Sequence, residues 1–171
     1  YYLIYYIELN YNKYLIMNNN ISVTLIFGAY YSHKHIYRIC ENLAEKFKII
    51  IVENSLDQNL KIDIEKKYKN ARVIIPSRNV GLAKSYNIGI QNSNTKYVYL
   101  NCPDMDITND SLDELIDCAE KLKDFCILAP NYIDTSNFNN YVGNDFTLVS
   151  SPKEIEKFKL KKVDFIDNSF F

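Results

Sequence analysis

Residues 22–54 read SVTLIFGAYYSHKHIYRICENLAEKFKIIIVEN, the pattern of a strand, a helix and a second strand in succession. The two outer runs, SVTLIFGAY (22–30) and FKIIIVEN (47–54), are apolar with little alternation, as in strands buried on both faces. Between them, the segment 33–46 places apolar side chains on one helical stripe, formed by Ile36, Ile39, Cys40 and Leu43. This order predicts two parallel strands joined by a crossover helix.

The same alternation continues towards the C-terminus. Further apolar runs predict strands at residues 71–77, 96–101 and 125–130. Helical periodicity predicts helices at residues 58–68, 82–91 and 111–122. Asp110 is the predicted N-cap of the last helix. We therefore predict an α/β fold with a mostly parallel, Rossmann-like sheet flanked by helices.

Length and composition limit the classes of protein to consider. The chain has 171 residues, enough for one buried core, and its 47% hydrophobic and 24% charged residues are typical of globular proteins. A net charge of −1 leaves no basic surface for nucleic acid, so we predict no nucleic-acid partner. Four cysteines without a CxxC pair or nearby zinc-ligand histidines predict neither a disulfide framework nor a zinc site, which fits a reducing cytoplasm.

The first sixteen residues, YYLIYYIELNYNKYLI, differ in character from the rest of the chain. They are apolar and aromatic, but Glu8 and Asn10 interrupt them, and they fall short of the ~18 apolar residues of a membrane span. They also lack the basic start and the cleavage site of a signal peptide. We predict that Met17 is the natural start and that 1–16 is an extension outside the native coding sequence; a membrane-surface anchor is the alternative.

The loop NCPDMDI, residues 101–107, comes directly after a predicted buried strand. Its carboxylates, Asp104 and Asp106, would lie at the carboxyl end of that strand, where ligands bind in parallel sheets. Such oxygen ligands suit Mg²⁺ or Mn²⁺, which commonly take their other ligands from substrate phosphates and water. In the alternative interpretation, Asp106 caps a helix and Asp104 is a solvated loop acid.

The segment SRNVGLAKSYNIGI, residues 77–90, runs from a strand through a turn into a helix. Gly81 allows a tight turn, and the free N–H groups of the helix start can face an anion. Arg78 and Lys84 add positive charge where phosphates would lie. Alternatively this is an ordinary strand–loop–helix connection in which Asn79 caps the helix. The Walker pattern GxxxxGK[ST] is absent.

Glu53 ends the second predicted strand and precedes Asn54, Ser55 and Asp57. An acid at this place in nucleotide-binding folds accepts hydrogen bonds from a ribose hydroxyl or a base N–H. The alternative is a purely structural segment in which Ser55 or Asp57 caps the next helix.

These loops, in this order, resemble the family 2 glycosyltransferases of GT-A fold over residues 21–132, and in particular the bacterial rhamnosyl- and galactofuranosyltransferase branch. SVTLIFGAYYS is similar to that family's first strand and "TYNS" turn, and IIIVENS to "VVDNS". NVGLAKSYNIGI is similar to "NxGxAxaxNxGI", and YLNCPDMDI to "LNPDvxI". The chain departs from the pattern at Tyr31, Glu53 and Cys102. Because Cys102 lengthens the DxD-like loop by one residue, Asp104 could pair with Asn101 or with Asp106.

The resemblance implies roles for individual residues. Ala29, Tyr30 and Glu53 are expected around the nucleoside base. Residues 78–84, with Arg78, Asn79, Gly81 and Lys84, are expected to border the nucleotide. Asp104, with Asp106 as its candidate partner, is expected to bind Mg²⁺ or Mn²⁺.

The resemblance also implies a domain division and an activity. Residues 17–134 would form the nucleotide-sugar-binding half, and 135–171 the start of a truncated acceptor-side region. The carboxylate base of the family's inverting members would lie beyond residue 171, so the fragment would bind donor without completing catalysis. Asp164 and Asp167 are the acids nearest that end and are not predicted to serve.

The predicted function is transfer of a sugar, as in inverting hexosyltransferases, from a nucleoside diphosphate to a glycan or lipid-linked acceptor in cell-surface polysaccharide synthesis. The predicted location is the cytoplasm, with peripheral association at the inner face of the membrane as its refinement. Two alternatives stay open. A metal-dependent nucleotidyltransferase should have a glycine- and lysine-rich first loop, and AYYSHKH has no glycine. In a non-catalytic α/β interaction domain, every motif would take its structural interpretation.

Overall fold

The computed structural model describes residues 3–5, 22–122 and 127–128. All of them belong to one compact unit, Tyr2–Leu128. Most of the predicted N-terminal extension and all of the predicted acceptor-side region, 135–171, lie outside the described residues, as do Met17, Asp164 and Asp167.

The described chain contains six strands. They are β1 (Leu3–Tyr5), β2 (Val23–Ala29), β3 (Lys48–Glu53), β4 (Ala71–Ile74), β5 (Tyr97–Asn101) and β6 (Ile127–Leu128). Four helices connect them: α1 (His33–Leu43), α2 (Gln58–Lys67), α3 (Leu82–Asn92) and α4 (Asn109–Lys121). Their order confirms the predicted alternation from residue 22 onward.

The strands form one sheet in the order β4-β3-β2-β5-β1-β6. The first four are parallel neighbours, with Ala29 beside Glu53 and Phe27 beside Asn101. β1 is antiparallel to both β5 and β6. The prediction of a mostly parallel α/β sheet is confirmed, but β1 was not foreseen, because a three-residue run inside an aromatic stretch has no measurable period.

Helices cover both faces of the sheet. α1, α2 and α4 pack on one face, against side chains that include Leu25, Phe27, Ile51 and Tyr99. α3 packs on the other face, against Ile26, Ile50, Val52, Val98 and Leu100. Because a right-handed crossover changes face when the chain reverses direction across the sheet, α3, which returns from β4 to β5, lies opposite its neighbours.

The chain reverses its direction across the sheet between β2 and β5. The connections from β2 through β3 to β4 run one way, and β5 is added on the other side of β2. In open α/β sheets this switch point leaves a crevice beyond the carboxyl ends of the strands. By this rule, a ligand is expected beside the loops that come after β2 and β5.

Several predicted boundaries were wrong, among them the end of α1, which lies at Leu43 rather than at residue 46. The N-cap of α4 is Thr108, whose Oγ1 accepts a hydrogen bond from the Ser111 backbone N at 3.1 Å, and Asp110 lies inside the first turn. Strand β4 ends at Ile74 rather than at residue 77. The sequence pattern extends further because Ile75 still packs against the core after strand pairing stops.

Candidate functional site

Ala29 and the two tyrosines after it form the first part of the carboxyl edge. Ala29 is fully buried, whereas Tyr30 and Tyr31 are 55% and 72% exposed. Their rings meet edge to face with centroids 4.5 Å apart. Tyr31 has φ of 50°, a left-handed conformation that is uncommon for a bulky residue. An exposed pair of aromatic rings thus lies at the carboxyl edge of the sheet. The backbone of its second member, Tyr31, is in an unfavourable conformation.

Glu53 ends β3 as a fully buried carboxylate. Its Oε1 accepts hydrogen bonds from both the backbone N, at 2.6 Å, and the hydroxyl of Ser55. Its Oε2 is buried and has no hydrogen-bond partner among the described residues. Since a buried acceptor without a partner is costly, this oxygen is suited to receive a donor from a ligand. Of the two predicted caps, Ser55 and Asp57, the structure shows Asp57 at the N-cap of α2. Its side chain accepts hydrogen bonds from Asn59 N and Leu60 N.

The turn before α3 is built around Gly81. Gly81 has φ of 77°, in the left-handed region that favours glycine, and its N–H donates to Asn79 Oδ1 at 2.9 Å. Asn79 therefore closes the turn rather than capping the helix: the N-cap is Gly81, and no side chain caps the first N–H groups. Arg78 and Lys84 are exposed on either side of the turn.

The loop after β5 contains the two predicted metal ligands. Asp104 is exposed, and the structure shows no ion pair or hydrogen bond of its side chain with any described residue. Asp106 Oδ1 lies 2.9 Å from Nη2 of Arg38 on α1. Asn101, at the end of β5, is buried; its Oδ1 accepts from Cys102 N, and its Nδ2 has no partner among the described residues. The loop thus presents one free carboxylate and one that is already paired.

A cation bound at this loop would have few ligands from the protein. Among the described residues, no three His, Cys, Asp or Glu side chains gather closely enough to hold a metal by themselves. One or two carboxylates are nevertheless the usual protein contribution to a Mg²⁺ site that also binds phosphates. The exposed, unpaired Asp104 meets that requirement, whereas Asp106 is already engaged with Arg38.

The cysteine on α1 is not a candidate nucleophile. Cys40 is buried in the core, and burial raises the pKa of its thiol to about 12. Since the thiolate is the reactive form, Cys40 is inert at neutral pH.

The predicted residues therefore occupy one edge of the sheet. Ala29 and Glu53 are register partners on adjacent strands, and the loops with Gly81 and Asp104 come after β4 and β5 at the same edge. Sequence reasoning missed Arg38 and the structural role of Asn54. Arg38 stands on the polar side of α1, where nothing local distinguishes it from a solvated charge. Asn101, which the sequence offered as one of two candidate partners of Asp104, is the last residue of the buried strand β5.

Fold and site together define a Rossmann-like α/β protein with a polar, incompletely paired edge at its switch point. The sequence matches the family described as "Glycosyl transferase family 2" over residues 29–171. The chain belongs to that family, and its fold is GT-A, as predicted. No curated protein sequence gives a significant match.

The fold is also similar to a solved structure, the crystal structure of S. aureus TarS 1–349. The two superpose with a TM-score of 0.51 and 22% identity, over 59% of this chain and 33% of the TarS chain. The present chain thus spans about a third of that structure. At this identity the likeness concerns the fold alone.

Among the described helices, none combines the length and apolar character needed to cross a bilayer.

Proposed function

We propose that this chain is the donor-binding part of a glycosyltransferase that binds a nucleoside-diphosphate sugar at the carboxyl edge of its sheet. Glu53 is the observation on which the proposal chiefly depends. It is a fully buried carboxylate at the end of β3, next to the strand where the sheet order reverses, and Oε2 lacks a partner among the described residues. A nucleoside supplies N–H and O–H donors of the kind that this oxygen would accept.

The neighbouring loops complete the nucleotide site. Ala29 and Tyr30 border the base beside Glu53. Asn79 and Gly81 shape the turn that leads into the uncapped start of α3, and a helix N-terminus favours negative charge. Arg78 and Lys84 are exposed there and add positive charge for the diphosphate.

Asp104 would bind Mg²⁺ or Mn²⁺ together with the diphosphate. Asp106 is proposed as a second ligand, one that would have to exchange its ion pair with Arg38 for the cation. When bound, such a cation supplies charge stabilisation for the departing nucleoside diphosphate. Asp104 itself orients the cation at the mouth of the crevice.

The remaining parts of the function are assigned by family likeness. We propose an inverting sugar transfer, of the rhamnosyl- or galactofuranosyl-like branch, to a glycan or lipid-linked acceptor in cell-surface polysaccharide synthesis. A lipid-linked acceptor would place the enzyme at the cytoplasmic face of a membrane.

The test is a calorimetric titration of the chain with UDP, TDP, GDP and CTP, each with and without Mn²⁺. Binding of a nucleoside diphosphate that Mn²⁺ strengthens is the expected result. A preference for CTP would favour a nucleotidyltransferase instead. No binding of any of the four would contradict the proposal and leave an interaction domain.

A further inference from the structure

Asn54 comes directly after Glu53, but its side chain faces the other side of the sheet. Successive residues of a strand point to opposite faces, so Glu53 shares the face of α1 whereas Asn54 faces α3. Asn54 is 5% exposed. A buried amide must find hydrogen-bond partners for a carbonyl oxygen and two N–H donors.

The Asn54 amide finds those partners on two other elements. Oδ1 accepts from the backbone N of Val80, in the turn before α3, at 3.0 Å. Nδ2 donates to Oγ of Ser85 on α3 at 2.8 Å and to the carbonyl oxygen of Ala29 at 3.3 Å. One side chain therefore joins the end of β2, the turn and the first part of α3.

Ser85 extends this link back to the turn. Its hydroxyl donates to the carbonyl oxygen of Gly81 at 2.7 Å while accepting from Asn54. Gly28 lets α3 come this close, because a Cβ there would lie 3.2 Å from Ser85 Cβ and 2.7 Å from Leu82 Cδ1. The turn around Gly81 is thus held from both sides by partly buried hydrogen bonds.

We infer that Asn54 is a positioning residue that fixes the diphosphate-facing turn, residues 78–81, relative to the base-facing ends of β2 and β3. The inference rests on the proposed nucleotide site. Asn54 does not contact the nucleotide itself; it sets the spacing between the two parts of the site that do. A ligand spanning both parts, a nucleoside diphosphate, depends on that spacing, whereas a nucleoside alone does not.

The principal test is Asn54→Ala in the full chain, with Asn92→Ala as the matched control. Asn92 stands at the far end of α3, where its Nδ2 donates to Ile88 O within the same helix. Binding of UDP, TDP and GDP with Mn²⁺ is measured by calorimetry, and binding of uridine, thymidine and guanosine by NMR titration. We expect Asn54→Ala to weaken the diphosphate that the wild type prefers by about tenfold or more, since Val80 N loses its acceptor. The matching nucleoside should change by less than about threefold. Asn92→Ala should change neither.

Equal losses for the nucleoside and the diphosphate would overturn the inference, because Asn54 would then be supporting the fold in general. If Asn54→Ala does not fold, Ser85→Ala serves in its place. Alanine is the best helix former, and the substitution leaves Asn54 its hydrogen bonds to Val80 and Ala29. We therefore expect a smaller loss of diphosphate affinity, again without a matching loss of nucleoside affinity.

Amide hydrogen exchange in the ligand-free chain separates this inference from the proposed function. Exchange at Val80 N should accelerate in Asn54→Ala and stay at the wild-type rate in Asn92→Ala. Unchanged exchange at Val80 overturns the positioning role whatever the ligand. If exchange is faster in Asn54→Ala but the wild type binds none of the three diphosphates, Asn54 does fix the turn. The proposed nucleotide site is then contradicted instead.

Discussion

At the scale of single residues, Glu53 and Asp104 are carboxylates in opposite environments. Glu53 is buried with one oxygen engaged by Ser55 and the other without a partner among the described residues. Asp104 is exposed and unpaired within the described chain. Burial makes Glu53 a selective hydrogen-bond acceptor, and exposure makes Asp104 available to a hydrated cation.

Glu53→Gln should weaken nucleoside diphosphate binding by about tenfold or more, because an N–H donor can take the place of the Oε2 acceptor. The midpoint of thermal unfolding should not fall, since the substitution removes a buried charge and keeps the volume. Calorimetry and thermal denaturation check both results. Glu114→Gln, an exposed position on α4, is the control. Retained affinity in Glu53→Gln would show that the base of the nucleoside does not bind at Glu53.

Asp104→Ala should abolish the gain in affinity that Mn²⁺ provides while leaving affinity without metal unchanged. The unfolding midpoint should hardly move, because an exposed side chain without partners contributes little to stability. Asp117→Ala, at an exposed position on α4, controls for the loss of one negative charge. A large drop in the unfolding midpoint would identify Asp104 as a structural residue.

At the scale of elements, the distance of α3 from the sheet depends on glycine. A Cβ at Gly89 would lie 2.2 Å from Ile26 Cγ2, an atom that cannot move without shifting Ile26 itself. The close approach places the start of α3 within reach of Asn54. Small residues on this helix are therefore a condition for the geometry of the turn before it.

Gly89→Ala should lower the free energy of unfolding by about 1–3 kcal/mol, the usual cost of overpacking a core. Urea denaturation measures the effect. Asn87→Ala, an exposed position on the same helix, should change stability by less than about 0.5 kcal/mol and provides the comparison. A neutral Gly89→Ala would mean that α3 can withdraw from the sheet without loss.

At the scale of the whole molecule, the proposed site is formed by three consecutive strand–loop connections and by β5. A ligand at this site should therefore bind only the folded chain and not the unfolded one. A nucleoside diphosphate with Mn²⁺ at about a hundred times its Kd should raise the free energy of unfolding by about 2.7 kcal/mol. Chelation with EDTA should remove the part of that gain due to the metal. Thermal denaturation with and without each component checks this, and an equal gain with EDTA present would contradict a metal-assisted site.

The class of fold, the positions of the strands from residue 22 onward and the polar loops at their ends were all predictable from the sequence. These features arise from the spacing of apolar residues and from turn chemistry, which act between near neighbours in the chain. The strand β1 and the α4 cap were not predictable in this way. β1 depends on finding partner strands in the folded sheet, whereas the cap depends on a local choice between Thr108 and Asp110, two residue types that both favour the N-cap position.

The order of the strands and the partners of individual polar side chains became visible only once the chain was folded. Arg38 reaches Asp106, and Asn54 reaches Ser85 and Val80, at sequence separations of 26 residues or more. No local periodicity records such pairs, because they arise where the crossover helices return to the carboxyl edge of the sheet. The spacing of apolar residues acts locally and determines whether a segment forms a helix or a strand. Long-range packing determines which polar groups come into contact, and therefore the geometry of the site.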